Sequence, residues 1–122
     1  MNIDNSWVQE VMMWNEERDN MDYSCVREGC LLQEEVEELG QAYRDEDIVG
    51  QADALADVLV VAVGGLYKLV GGDMYKFNDI MLSVTAANNT KSSTKDESGK
   101  ITKPDDFVGP EVMIAQILGE EI

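Results

Sequence analysis

The sequence predicts an all-α fold: a four-helix core followed by a C-terminal loop arm and a short helix. Three observations lead there. Apolar residues recur at helical spacing in four successive segments. Helix-ending and helix-starting residues fall between segments, as in Gly71-Gly72 followed by Asp73. A stretch rich in Ser, Thr, Lys, Gly and Pro, residues 88–109, then separates the core from a last apolar segment.

The elements follow in order. Ser6 with Gln9 has the form of a capping box, and Trp7, Val8, Val11, Met12 and Trp14 continue at helical spacing. The polar run 16–22 reads as a connection. A second helix is expected over about residues 24–44, with Val26, Leu31, Leu32, Val36, Leu39 and Tyr43 as its apolar line. After the turn Asp45-Glu46-Asp47, a third helix spans about residues 49–70 and is rich in Ala, Val and Leu. Asp73 caps a fourth that carries Met74, Phe77, Ile80, Met81, Val84 and Ala87. Pro110 opens a short helix to about Leu118. The 122 residues suit one domain, with a core over about 6–91 and an arm over 92–122.

Charge and composition narrow the functions. With 25 acids, 9 bases and no histidine, the net charge is −16. A surface this acidic repels nucleic acid polymers and anionic membranes, but not a small phosphorylated ligand held by cations. A histidine metal site and a Ser-His-Asp triad are excluded. Cys25 and Cys30 are five apart on a helix, on different faces, and are expected as small buried residues in a reducing, cytoplasmic setting. The first residues have neither a basic nor an apolar leader segment, so no secretory signal is expected. The apolar stretch 58–70, interrupted by Gly64, Gly65 and Lys68, is too short to span a bilayer.

The chemistry lies in two acidic pairs. Glu35 and Glu38 are three apart and share a helical face; Glu34 and Glu38, four apart, are also adjacent. On the next helix Asp53 and Asp57 are four apart, and Asp57 sits among apolar residues. A carboxylate there needs a partner, because an unpaired buried charge costs several kcal/mol. Few bases precede Asn88, so a divalent cation answers the need. Carboxylate oxygens without His or Cys select Mg²⁺ or Mn²⁺. Two helices joined by a short turn pack antiparallel, so the two pairs can face each other. Lys91, Lys95, Lys100 and Lys103, four of the nine bases, cluster within thirteen positions. A lysine-rich arm beside a carboxylate–metal site suits a triphosphate. Trp7 and Trp14 are candidates for stacking on a base, with core packing the favoured role for each.

Together these residues resemble the all-α nucleoside triphosphate pyrophosphohydrolases, the group of MazG-like enzymes, dCTPases, dimeric dUTPases and phosphoribosyl-ATP pyrophosphohydrolases. Its signature is ExxE on one helix and ExxD on the next. Leu32-Gln33-Glu34-Glu35-Val36-Glu37-Glu38-Leu39 followed by Ala42 matches the first element. Asp53-Ala54-Leu55-Ala56-Asp57-Val58-Leu59 matches the second. Short phage-borne members are also similar at Asn88 to Lys91 and at Gly99-Lys100-Ile101-Thr102-Lys103-Pro104. The resemblance covers about residues 31–110. Ala54 stands where the family places a glutamate, with Asp53 as the substitute, which leaves the number of metals open.

The resemblance implies hydrolysis of a nucleoside triphosphate to the monophosphate and pyrophosphate. It implies Glu35, Glu38 and Asp57, with Asp53, as Mg²⁺ ligands. Glu34 would orient or deprotonate water, making Glu34, Glu35 and Glu38 the catalytic acids. Asn88, Lys91, Lys100 and Lys103 would contact phosphates, and Trp14 the base. A homodimer or dimer of dimers is implied, and the small core points the same way. Phosphoribosyl-ATP hydrolysis in the same fold is one rival. A non-catalytic acidic mimic is another, which the lysine-rich arm and the placement of Asp57 argue against.

Overall fold

Side-chain caps start three of the five helices in the computed structural model, which describes residues 4–121. Ser24 Oγ accepts from the Arg27 amide at 3.3 Å and opens α2, Cys25–Arg44. Asp47 Oδ1 accepts from the Gly50 amide at 3.0 Å and opens α3, Ile48–Leu69. Asp73 Oδ1 accepts from the Tyr75 and Lys76 amides at 2.9 and 3.2 Å and opens α4, Met74–Asn88. Each cap satisfies amides that the first helical turn leaves without a partner. The remaining two are α1, Ser6–Glu17, and α5, Glu111–Leu118. No strand occurs among the described residues, so the all-α class is observed. The expectation of no leader rests partly on residues 1–3, outside the described range.

Two local expectations change. Ser6 is the first residue of α1 rather than its cap; its amide donates to Asp4 Oδ1 at 2.9 Å, and the Asn5 side chain makes no capping bond. Pro110 occupies the cap position of α5, one residue before the helix. Gly71 and Gly72, at φ 67° and 77°, end α3 in the left-handed region that glycine adopts without strain.

The chain falls into two compact units, Met1–Gly72 and Asp73–Ile122. In the first, α2 and α3 form an antiparallel hairpin and α1 packs on α3. Gly64 makes the α1 contact possible. A Cβ there would stand 3.2 Å from Asn15 Nδ2, and the buried Asn15 amide in turn donates to Val11 O at 2.9 Å. Tyr67, also buried, donates its hydroxyl to Glu16 and ties the end of α3 to the end of α1.

The packed face of α2 is not the apolar line read from its sequence. Glu28 and Ala42 are its buried residues, whereas Val26, Val36 and Tyr43 are 74%, 50% and 53% exposed. The side of α2 turned to α3 carries acids, so its apolar side is left uncovered in the single chain. Cys25 and Cys30 are free thiols and exposed, not buried as expected. The length of α3 also departs from the reading of residues 58–70. Its 22 residues include an 18-residue stretch of mean hydropathy 1.6, long and apolar enough to cross a bilayer by length and composition.

In the second unit, α4 packs on α5 around Phe77, Ile80 and Ala115. The segment between them has local order. Lys95 and Ile101 form an antiparallel bridge, closed by a turn in which Asp96 Oδ1 accepts from the Ser98 and Lys100 amides at 2.9 and 3.0 Å. The Ser98 side chain and the Lys100 amide hold the Asp96 carboxyl below its usual range. The hydroxyls of Ser92, Thr94 and Thr102 interlock beneath that turn.

Candidate functional site

The α2–α3 hairpin sets three levels of cross-helix pairing. Next to the turn, Gln51 Nε2 approaches Ala42 O at 3.4 Å. Midway, carboxylate oxygens of Glu35, Glu38 and Asp57 all lie within 4.8 Å of one another. At the far end, Lys68 Nζ donates to Glu28 Oε1 at 2.8 Å. Side chains on one helical face recur every three or four residues, so Glu28, Glu35, Glu38 and Ala42 share one stripe of α2. Asp57 and Lys68 are eleven residues apart, about three turns, and share one stripe of α3.

The middle level is the candidate metal centre. Glu35 and Asp57 are half-buried and Glu38 is exposed. Glu35 Oε2 is buried and has no hydrogen-bond partner. Partial burial, and then the adjacent charges of Glu38 and Asp57, push the Glu35 carboxyl above its usual range. Among the described residues no Lys or Arg forms an ion pair with Glu35, Glu38 or Asp57. Three converging oxygens, one of them orphaned, fit a hard cation. With metal–oxygen distances of roughly 2.0–2.6 Å, opposite ligands stand about 4–5 Å apart.

The other expected site residues lie elsewhere. Asp53 is exposed and outside the cluster of three. Glu34 is exposed on the next position of α2 and lines a shallow surface cleft with Glu38 and Arg44. Asn88 ends α4 and is exposed, and Lys91 is half-buried in the following segment. Lys100 and Lys103 are exposed; Lys103 Nζ stands 5.1 Å over the Phe107 ring. These four belong to the second unit, whereas the carboxylates belong to the first.

Trp14 and Trp7 are 52% and 37% exposed, so neither is a core residue, the favoured role from the sequence. Both line a cavity of about 630 Å³ in the first unit. Its inner end holds Glu28 and Lys68. The Arg18 guanidinium lies 4.4 Å from the centre of the Trp14 ring. Sequence reasoning missed the Glu28–Lys68 pair. The signal was present in the stripe it shares with Glu35 and Asp57, which the choice of an apolar line for α2 passed over.

Comparison with protein-family models, with curated proteins and with solved structures gives no match for this chain.

Proposed function

We propose that the chain is a magnesium-dependent nucleoside triphosphate pyrophosphohydrolase, built as a MazG-like four-helix core with a basic arm. One observation carries the reading: three carboxylates of adjacent helices converge with no basic partner, and one buried oxygen among them has no hydrogen bond. The resemblance of the Glu34-to-Glu38 and Asp53-to-Asp57 segments to the family signature supplies the reaction.

Glu35, Glu38 and Asp57 would hold the cation, with Mn²⁺ able to replace Mg²⁺ and Asp53 a further ligand by resemblance. When bound, the metal neutralises phosphate charge and lowers the pKa of water. Glu34, next to the ligands, orients the attacking water and takes its proton. Water oxygen bonds to one phosphorus of the α–β linkage, the bridging P–O bond breaks, and the displaced group (pyrophosphate for attack on the α-phosphorus, the monophosphate for attack on the β-phosphorus) leaves with the electron pair. Asn88, Lys91, Lys100 and Lys103 serve as phosphate contacts on the strength of charge and resemblance. Burial of Glu35 keeps one ligand partly desolvated, which strengthens its attraction to a cation. Incubation with Mg²⁺ and a panel of NTPs and dNTPs, with pyrophosphate and orthophosphate measured separately, tests the proposal.

A further inference from the structure

The cavity beside the carboxylates has walls and a floor of different chemistry. Trp7, Val11 and Trp14 of α1, with Leu31 and Val61 across from them, make its walls apolar and partly aromatic. Its floor holds Lys68 and Glu28, whose side chains are only 4% and 10% exposed; Arg27 stands 3.7 Å from the same Glu28 oxygen, and Glu10, Asn15 and Asn20 also line the cavity. At about 630 Å³ it falls within the range of small-molecule sites. Lys68 has three N–H donors and gives one to Glu28. Glu28 Oε1 takes that bond. The pair therefore presents a charged donor beside a charged acceptor.

We infer that this pair reads the edge of a nucleobase, and that it selects a lactam edge, a carbonyl oxygen beside a ring N–H, over an amino edge. The inference rests on the nucleotide reading above and names the feature of the substrate that the site distinguishes. A donor beside an acceptor favours a ring whose own acceptor and donor lie side by side. An ammonium bonds most strongly to a carbonyl oxygen. A carboxylate bonds most strongly to an acidic N–H, and a lactam N–H is far more acidic than an exocyclic amine. Guanine, hypoxanthine and uracil have that edge; adenine and cytosine place an amine beside a ring nitrogen. The tryptophans offer flat apolar surface for the ring.

The placement suits a nucleotide. Leu31 and Val61 on the cavity wall precede and follow Glu35 and Asp57 by four residues each, one helical turn or about 6 Å along the hairpin. A base in the cavity would thus lie about one helical turn from the carboxylates.

The test uses the intact chain without metal. Both of its tryptophans line the cavity, so their fluorescence reports occupancy directly. Inosine and uridine should quench saturably, and adenosine and cytidine on the order of tenfold more weakly, the worth of one hydrogen bond. Methylation of inosine at N1, which removes the lactam N–H, should cost as much. Removing one partner strands a buried charge, so the informative variant is the double substitution Glu28→Gln with Lys68→Met. It should remain folded by circular dichroism and bind all four nucleosides alike. Equal quenching by the four nucleosides in the wild type, none by any, or selectivity that survives the double substitution would overturn the inference. Hydrolysis without base preference would defeat it and leave the proposed reaction standing. Selective quenching in a chain that releases no pyrophosphate would do the reverse.

Discussion

Lys68 and Glu28 form a buried ion pair, 2.8 Å from Nζ to Oε1, that joins the far end of α3 to the start of α2 across forty residues of sequence. Removing Lys68 leaves the buried Glu28 only the partly exposed Arg27, 3.7 Å from the same oxygen. Lys68→Met alone should lower unfolding stability by about 3–5 kcal/mol, measured by urea titration. The double substitution with Glu28→Gln should recover most of that loss. Equal stability of the single and double variants would mean that the pair is solvated.

The carboxylate cluster makes a prediction of opposite sign. Glu35→Gln should raise the melting temperature of the metal-free protein, because it removes a charge held near Glu38 and Asp57 with an orphaned oxygen. Mg²⁺ should raise the melting temperature of the wild type and leave the variant unmoved. Asp57→Asn and Glu38→Gln should each lower turnover by on the order of 100-fold or more while the fold persists, since each removes a ligand.

Tyr67 sets an alkaline limit. Burial, and then its hydrogen bond to Glu16, push the phenol from 10.0 up to about 12. The folded state thus retains a proton that the unfolded chain releases. The stabilisation is complete below pH 10 and is lost as the pH rises through about 12. Phenolate absorbance should show one of the four tyrosines ionising late. Tyr67→Phe should remove that late step and cost about 1–2 kcal/mol at neutral pH.

Much of the single chain's apolar surface is uncovered. Leu55 and Leu59 of α3 are 47% and 54% exposed, and Val36 of α2 is 50% exposed. Association with a second copy would cover such surface. Light scattering at micromolar concentration should give a dimer or dimer of dimers, and Leu59→Glu should shift it toward monomer. A monomeric wild type with full activity would contradict this.

The basic arm has its own consequence. Lys91→Ala should reduce kcat/KM by roughly tenfold to a thousandfold, about 1.4–4 kcal/mol of transition-state stabilisation, if Lys91 contacts a phosphate. Stability should be unaffected. A harmless Lys91→Ala would confine the chemistry to the acidic helices.

The helices were legible from apolar spacing and from the Gly71-Gly72 stop before the Asp73 cap, whereas the caps Ser24 and Asp47 were read only as a helix start and a turn. The spacing of Glu35 and Glu38, and the apolar surroundings of Asp57, marked the three oxygens that converge. Asp53, four residues and about 6 Å along the axis from Asp57, is exposed and outside the cluster of three. The face of α2 was misread because apolar periodicity identifies a buried side only when the buried side is apolar. Glu28 and Lys68 pair in the interior on the same stripes as Glu35 and Asp57, a signal hidden by the choice of an apolar line for α2.

Product analysis after incubation with Mg²⁺ and a panel of nucleoside triphosphates tests the central claim most directly. Equimolar nucleoside monophosphate and pyrophosphate are expected, abolished by a chelator and by Asp57→Asn. Orthophosphate as the sole inorganic product, or turnover indifferent to both chelator and Asp57→Asn, would contradict it.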